Sequence, residues 1–352
     1  MVNVMGTSIF LATALAVAAG GAVSGEQAPR PGTLETYKDW TIGCDNRNRC
    51  EAVALLPEGA NWPDVPMTVG VVRDAGSDAN AEIWFSRDSK GITQLRFLVD
   101  GRQVATATAR DGEARVTGPQ ASALAIAMAR GSVMEVRSAT KLLGRPSLAG
   151  SGAALRYMDA LQGRAGTTTA LVATGALGPN AVKLAPAAPV VKRMPVSTGG
   201  PPAALWREEL SSLGRMTGCS EELNGSQQPE LHRLGKGETL ILVPCGSGAY
   251  NFSTVPVIAT GIAGRRAFRL AGFDSTPGWI ENPALPMLVN AGWTPEKSRL
   301  ESYAKGRGLG DCGGSQAYVW DGTRFRLIEA RAMGECRGAW QWIRVWTAQV
   351  SE

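Results

Sequence analysis

The sequence predicts a mainly β, α+β protein built in two parts that a proline-rich linker joins. Gly and Pro are abundant, at 43 and 20 of 352 residues, which favours short strands connected by turns. Short apolar runs recur between turn residues in both parts. With 44% hydrophobic and 19% charged residues, the chain has enough apolar material for a packed core, so wholesale disorder is excluded.

The N-terminal part, residues 30–175, is predicted to be an antiparallel β-sandwich-like domain with short helices. It opens with two strands around the polar tip at residues 45–49, and Asp100-Gly101 is typical of a tight hairpin turn. Helices are predicted over residues 120–130 and 151–162, and further strands over 66–73, 81–86, 93–100, 102–109 and 133–140.

Residues 176–202 are predicted to be a linker. This stretch and its borders hold six prolines among small residues, a composition that is stiff and packs poorly. The C-terminal part, residues 203–352, is predicted to be an α+β domain with an antiparallel sheet. Its predicted helix spans 203–213, and its strands span 238–243, 254–260, 265–271, 317–321, 324–330 and 340–349.

Residues 1–25 have the pattern of a signal peptide. They contain no Lys, Arg, Asp or Glu, and an apolar run from Ile9 to Ala19 precedes small residues, so cleavage is expected between Ala22 and Ala28. The alternative is a short membrane anchor, but the run falls short of the roughly 20 residues that span a bilayer. The leader therefore predicts a soluble, exported protein without a transmembrane segment after its removal.

Six cysteines follow the leader, and an even number in an exported chain favours disulfides. Sequence alone allows 15 connectivities for six cysteines. The simplest is nearest-neighbour pairing: Cys44–Cys50, Cys219–Cys245 and Cys312–Cys336. The absence of any C-x-x-C excludes a thioredoxin-like redox pair and a zinc ribbon.

The formal net charge of +5 is compatible with contact to an anionic cell envelope. The basic residues are too dispersed to indicate nucleic-acid binding. An envelope component or another periplasmic protein is therefore the expected partner.

Two patterns could indicate a hydrolase. His232 is the single histidine, so a Ser–His–Asp triad would have to use it, but no Gly-x-Ser-x-Gly elbow accompanies it. Ser138 and Lys141 match Ser-x-x-Lys, yet the companion motifs of penicillin-recognising enzymes are absent. Both patterns are better interpreted as structural or accidental, and no catalytic residue is predicted.

Two loops could bind an ion or a cofactor. Asp74, Asp78 and Asn80 offer oxygen ligands, but without the EF-hand spacing or its closing Glu an acidic turn is the better interpretation. Residues 306–310 are glycine-rich and basic, but lack the Gly-x-Gly-x-x-Gly spacing of a phosphate cradle. We expect no metal and no cofactor.

The most informative pattern is Trp340-Gln-Trp342-Ile-Arg344-Val-Trp346. Strand periodicity would place the three tryptophans and Arg344 on one face, where they could form an aromatic platform for a glycan or a peptide. The alternative is a strand that is covered on both sides, with the tryptophans as core. We favour the core, and expect the head of Arg344 to reach solvent at the end of the strand.

Long motifs resemble a known family, the bacterial domain of unknown function 1176. The matching segments are Tyr37–Asn46, Cys50–Ala54, Ser147–Asp159, Gln162–Arg164, Gly306–Cys312, Val319–Phe325 and Glu335–Arg337. The opening Lys38-Asp-Trp-Thr resembles, more weakly, the invasion-associated locus B family. The first resemblance implies an exported, periplasmic protein of a Gram-negative bacterium and brings no catalytic residues.

The sequence therefore predicts a non-enzymatic periplasmic protein that binds a ligand or serves the envelope. One alternative is a hydrolase of an envelope polymer, which would use His232 or a pair of carboxylates. The other is a secreted host-contact factor. An exposed aromatic groove would favour binding, and two close carboxylates in a cleft would favour hydrolysis.

Overall fold

A computed structural model describes residues 28–60, 67–139, 141–195, 199–225, 227–277 and 285–352. The predicted signal peptide lies outside the described residues. Antiparallel sheets dominate both parts and helices are few, so the predicted mainly β, α+β class is confirmed. Within the described residues, no helix is both long and apolar enough to cross a membrane.

The N-terminal part is organised around a sheet of ten strands, each antiparallel to its neighbours, in the order β1-β2-β3-β4-β5-β8-β7-β6-β9-β10. Asp100 and Gly101 both have positive φ, 49° and 77°, as the predicted hairpin turn requires. The strands are β1 Leu34–Tyr37, β2 Trp40–Cys44, β3 Cys50–Ala54, β4 Met67–Arg73, β5 Ala81–Arg87, β6 Ile92–Val99, β7 Arg102–Arg110, β8 Glu113–Val116, β9 Met134–Arg137 and β10 Leu142–Gly144.

Two helices, α1 Gly118–Arg130 and α2 Ser151–Leu161, cover one side of this sheet. Pro119 lies in the first turn of α1, where its missing N–H costs nothing. The buried residues of α1 recur at helical spacing and pack on the sheet: Ala121, Leu124, Ala125 and Met128. Both predicted helices of this part are present within two residues of their expected bounds.

The end of the predicted linker packs on the C-terminal part. Strand β11 Val190–Lys192 pairs in parallel with β22 Gln349–Ser351, and Val191 is buried against Val319 and Ile328. Most residues between 174 and 190 are exposed. The domain boundary at residues 176–202 stays a prediction.

In its described residues, the C-terminal part contains two antiparallel sheets, two α-helices, α3 Arg207–Thr217 and α4 Ser220–Asn224, and a short 3-10 helix, Pro295–Lys297. The helix that was predicted to begin at residue 203 begins at Arg207, four residues later. The Glu209 carboxylate accepts the Trp206 N–H (2.9 Å) and so fixes the first turn of α3 at this point. The first sheet comprises β12 Glu230–Gly235, β13 Glu238–Ser247, β14 Phe252–Thr260, β15 Ala267–Leu270 and β16 Leu288–Val289. The second comprises β17 Gly292–Thr294, β18 Arg299–Lys305, β19 Gly313–Trp320, β20 Phe325–Met333 and β21 Ile343–Thr347.

The two parts share an apolar core. Val53 and Trp84 of the ten-stranded sheet belong to the same buried cluster as Phe325, Ile343 and Val345 of the second C-terminal sheet. Polar contacts border this cluster, and the Asn46 side chain exchanges two hydrogen bonds with the main chain of Thr347 (3.0 and 2.8 Å).

The three disulfides join Cys44–Cys50, Cys219–Cys245 and Cys312–Cys336, the pairs that nearest-neighbour spacing predicts. Cys44 and Cys50 lie directly opposite each other on β2 and β3, at the base of the polar tip.

Candidate functional site

The tryptophan segment does not form the single face that its periodicity predicts, because β21 begins only at Ile343. Trp342 is 5% exposed and stacks on Tyr303, with ring centroids 4.5 Å apart and planes 3° from parallel. Trp340 is 39% exposed, and its indole N–H donates to the carbonyl of Leu309 (3.1 Å). Trp346 is half-buried, and its indole N–H donates to the carbonyl of Leu327 (3.2 Å). The three indoles therefore do not build one platform.

The guanidinium of Arg344 was expected to reach solvent, but it contacts a buried carboxylate instead. Its guanidinium donates to the carboxylate of Asp45 from Nε (2.9 Å) and lies 2.8 Å from it through Nη2. The Asp45 side chain is wholly buried and also accepts the N–H groups of Arg47 and Arg49. A buried carboxylate needs a positively charged partner. For Asp45 that partner is Arg344, which lies 299 residues away in sequence, so local sequence patterns could not predict the pair.

Trp346 lines a concave feature on the surface of the described residues. Two cavities of about 370 and 660 Å³ lie beneath the arm formed by residues 28–31, and Ala28, Pro29 and Asp274 line both of them. We call this feature the arm cleft. Arg30, Pro189, Val191, Arg326, Leu327 and Trp346 complete the smaller cavity, and Pro31, Ala271–Phe273, Ser275–Pro277, Pro286 and Gln316 the larger.

An ion pair forms the floor of the arm cleft. The Arg326 Nε donates to Asp274 (2.8 Å), and its Nη1 lies 3.4 Å from the carboxylate of Asp321. Asp274 also accepts the main-chain N–H of Leu327 (2.9 Å). The Asp274 and Arg326 side chains are only 4% and 12% exposed, so packing and hydrogen bonds hold this floor rigidly.

Aromatic packing supports the floor from below. Phe273 stacks on Phe325 (centroids 5.2 Å apart) and meets the edge of Tyr318 (5.0 Å). Burial raises the pKa of Tyr318, so its hydroxyl keeps its proton and donates to the side-chain oxygen of Gln316 (2.8 Å). The side-chain amide of Gln316 is thereby oriented at the border of the larger cavity.

The arm has a fixed path across β21. The Gly32 N–H donates to the carbonyl of Val345 (2.8 Å). A Cβ atom at position 32 would collide with the carbonyl oxygen of Cys44, so only glycine permits this close approach. This contact fixes the end of the arm that leads into β1.

The two hydrolase patterns occupy structural positions. His232 lies on β12, where its ring nitrogen is 3.3 Å from Glu230 and its ring centroid 6.3 Å from that of Trp293. The Ser138 N–H donates to the carbonyl of Lys141 (2.9 Å) and so closes the turn between β9 and β10. Neither pattern lines the arm cleft.

The two candidate ion-binding loops are held by internal contacts. Asp74 lies 3.5 Å from Arg49, and Asp78 accepts a hydrogen bond from Ser77. No group of three or more His, Cys, Asp or Glu side chains among the described residues is placed to hold a metal. In the glycine-rich loop, the Gly306 N–H donates to the carbonyl of Cys312 (2.8 Å), which makes a tight turn into the disulfide.

Sequence reasoning found Trp346 but missed Asp274 and Arg326. These two residues are 52 positions apart, and neither belongs to a recognisable local motif. It also missed the buried carboxylate of Asp159, which accepts the N–H groups of Leu171 and Val172 (2.9 and 2.8 Å) and lies 3.9 Å from Arg73. Burial, and then the nearby charge of Arg164, lower the pKa of Arg73 to about 10.

Comparison with known proteins identifies the family to which this chain belongs. The chain belongs to the family "Protein of unknown function (DUF1176)", which it matches over residues 34–349. It is similar to the uncharacterized protein YpfG of Escherichia coli (strain K12), with 28% identity over 338 residues, 88% of this chain and 91% of the relative. No solved structure matches it.

Proposed function

We propose that this chain is an exported, non-enzymatic periplasmic protein that binds a ligand of the cell envelope in the arm cleft. The observation that carries the proposal is the form of the cleft: rigid proline and indole walls above a hydrogen-bonded polar floor. Ligand sites in proteins have this combination of apolar walls and few oriented polar groups, and volumes of about 300–1,000 Å³.

The export part of the proposal rests on the leader pattern and on cysteine usage. An uncharged apolar leader at residues 1–25 precedes three disulfides, and free cysteines are absent from the described residues. Stable structural disulfides are typical of oxidising compartments such as the periplasm.

Hydrolysis of an envelope polymer is the weaker alternative. It would require a carboxyl group with a raised pKa to act as general acid. Among the described residues, the carboxyl groups whose pKa is clearly shifted are instead shifted downward: Glu135, Glu209, Asp311 and Asp321. The host-contact alternative rests on the short N-terminal resemblance alone.

A retention experiment tests location and binding together. The full chain is expressed with its own leader in Escherichia coli and recovered by osmotic shock, where we expect it in the periplasmic fraction. The purified protein is then mixed with a muramidase digest of peptidoglycan and a low-mass periplasmic extract. After gel filtration and denaturation, mass spectrometry identifies the small molecules that were retained.

We expect retained compounds with the wild type, loss of them with Trp346→Ala, and no change with Trp340→Ala, since Trp340 does not line the cleft. Protein confined to the cytoplasm would overturn the export proposal. A wild type that retains nothing beyond Trp346→Ala would overturn the binding proposal.

A further inference from the structure

One end of the first C-terminal sheet exposes two large apolar side chains. Ile262 lies in the loop between β14 and β15 and is 72% exposed, and Trp206, just before α3, is 59% exposed. The two belong to one surface, because the indole of Trp206 lies over Gly264 of the same loop, where a Cβ atom would be 2.9 Å from the ring. We call residues 203–206 and 261–265 the apolar tip.

A nearly buried ion pair holds the apolar tip in place. The Glu209 carboxylate accepts the main-chain N–H groups of Trp206 and Gly264, both at 2.9 Å. It also pairs with Arg266 (2.9 Å), whose guanidinium donates to two carbonyls of the segment before α3. The Glu209 and Arg266 side chains are each 5% exposed. The loop and the segment before α3 are therefore fixed to each other, and the exposed apolar groups cannot turn inward without breaking this network.

Two arginines flank the apolar tip. Arg207 directly follows Trp206 and begins α3. The Arg265 N–H donates to the carbonyl of Ile262 (3.0 Å), which closes a turn that has the isoleucine at one end and the arginine at the other. Both arginines are exposed. Each large apolar side chain of the tip therefore has a cation close to it in the chain.

A third cation lies at the same end of the sheet. Lys236 is exposed in the turn between β12 and β13, and this turn adjoins the β14–β15 loop because β13 and β14 are antiparallel neighbours. Neighbouring strands are about 4.8 Å apart, so the two turns lie roughly 10 Å from each other. Of the carboxylates on the elements that form this end, Glu238 pairs with Arg269 (3.3 Å), and Glu208 is exposed. Exposed cations thus outnumber exposed carboxylates around the apolar tip.

We propose that the apolar tip docks on the surface of an anionic phospholipid bilayer, with Ile262 among the acyl chains and the Trp206 indole at the level of the headgroups. Single exposed apolar residues are common on proteins. This tip differs because it combines an isoleucine, an indole and flanking cations on a fixed turn. Indoles prefer the bilayer interface, and each cation near an anionic bilayer strengthens binding. The inference goes beyond the proposed function and does not depend on the arm cleft.

Flotation with lipid vesicles tests the inference on the mature chain, from which the apolar leader has been removed and so cannot itself bind lipid. The vesicles consist of phosphatidylcholine alone or of an equal mixture of phosphatidylcholine and phosphatidylglycerol. We expect the protein to float with the mixed vesicles and not with the neutral ones. Binding should weaken as the NaCl concentration rises from roughly 0.05 to 0.5 M, because salt screens the attraction between cations and lipid.

Variants of the apolar tip should separate the apolar contribution from the charged one. Ile262→Asn should weaken binding to mixed vesicles by at least about tenfold, and Arg265→Gln by about fivefold. Leu184→Asn and Arg156→Gln are the matched controls, because each replaces an exposed side chain of the same kind on another element. Both controls should bind like the wild type. All four positions are exposed, so circular dichroism should show the same unfolding temperature for every variant.

Equal flotation with both kinds of vesicle, or flotation with neither, would overturn the inference. Tip variants that float like the wild type would overturn it as well. If the wild type fails to float and elutes as a dimer that Ile262→Asn converts into a monomer, the tip is instead a contact between two copies of the chain. The retention experiment concerns the arm cleft, so its outcome and the outcome of flotation are independent.

Discussion

Trp340 and Trp342 lie two positions apart but differ in burial. Trp342 is buried against Tyr303 and against Gly313, where a Cβ atom would lie 2.7 Å from the indole. Trp340, two positions earlier, keeps 39% of its surface exposed. At Trp342 the predicted core role agrees with the observed burial, and at Trp340 it does not.

Replacing these residues by alanine should separate the two roles. Trp342→Ala removes a buried aromatic side chain and should lower the free energy of unfolding by about 3–5 kcal/mol. Trp340→Ala removes a side chain that is 39% exposed and should cost about 1 kcal/mol or less. Urea unfolding followed by circular dichroism measures both, and equal losses would contradict this assignment.

The loop from Gly306 to Cys312 is an element held by one buried carboxylate. Asp311 accepts two hydrogen bonds from Arg307 (2.7 and 2.6 Å) and one from the N–H of Gly338 (2.8 Å). Burial raises the pKa of Asp311, but these donors outweigh it and the pKa lies below its ordinary value. The carboxylate thus joins the loop to the segment that follows Cys336.

This lowered pKa predicts loss of stability in acid. Because the folded-state pKa is depressed, the contribution of Asp311 is complete above the ordinary aspartate pKa of about 3.9 and is lost as the pH falls through the folded-state value. Asp311→Asn should therefore be less stable than the wild type at pH 6, and the difference should shrink towards pH 2.5. Urea unfolding across this range measures it; a constant difference would show that Asp311 acts by packing alone. Asp78→Asn, on an exposed loop, is the matched control.

The whole molecule is held together by contacts between its two parts. Arg344 neutralises the buried Asp45, Asn46 pairs with the main chain of Thr347, and Arg337 forms an ion pair with Asp39. Asp39, Asp45, Asn46 and Arg337 all belong to the motifs that carry the family resemblance. Those motifs therefore mark the junction of the parts as much as any ligand site.

Trypsin offers a test of the junction and of the predicted boundary. Lys183 is exposed within the predicted linker, so brief digestion should cut after it. We expect the two fragments to elute together on gel filtration without denaturant, because they share a core and a buried ion pair. Asn46→Ala combined with Arg344→Ala should let them separate.

Separate elution of the wild-type fragments would contradict the shared core. Cooperative refolding of each fragment alone would confirm the boundary at residues 176–202.

The sequence by itself determined the features that depend on near neighbours. Short apolar runs, turn signals such as Asp100-Gly101 and the start of α1 at Pro119 were readable because hairpins and helices form from residues a few positions apart. Nearest-neighbour cysteine pairing succeeded for the same reason, since each pair closes one local loop. The mainly β class followed from these local patterns, and the family from the longer motifs that resemble it.

Only the tertiary structure decided which side chains meet. Arg344 was expected in solvent, but the ten-stranded sheet brings Asp45 to it; Asp274 and Arg326 form the cleft floor across 52 residues. The tryptophan segment was expected to be one strand, whereas β21 begins only at Ile343 and Trp342, just before it, stacks on Tyr303. Such partners are chosen by the packing of distant elements and by the cost of an unpaired buried charge, and neither quantity is encoded in a local stretch of sequence.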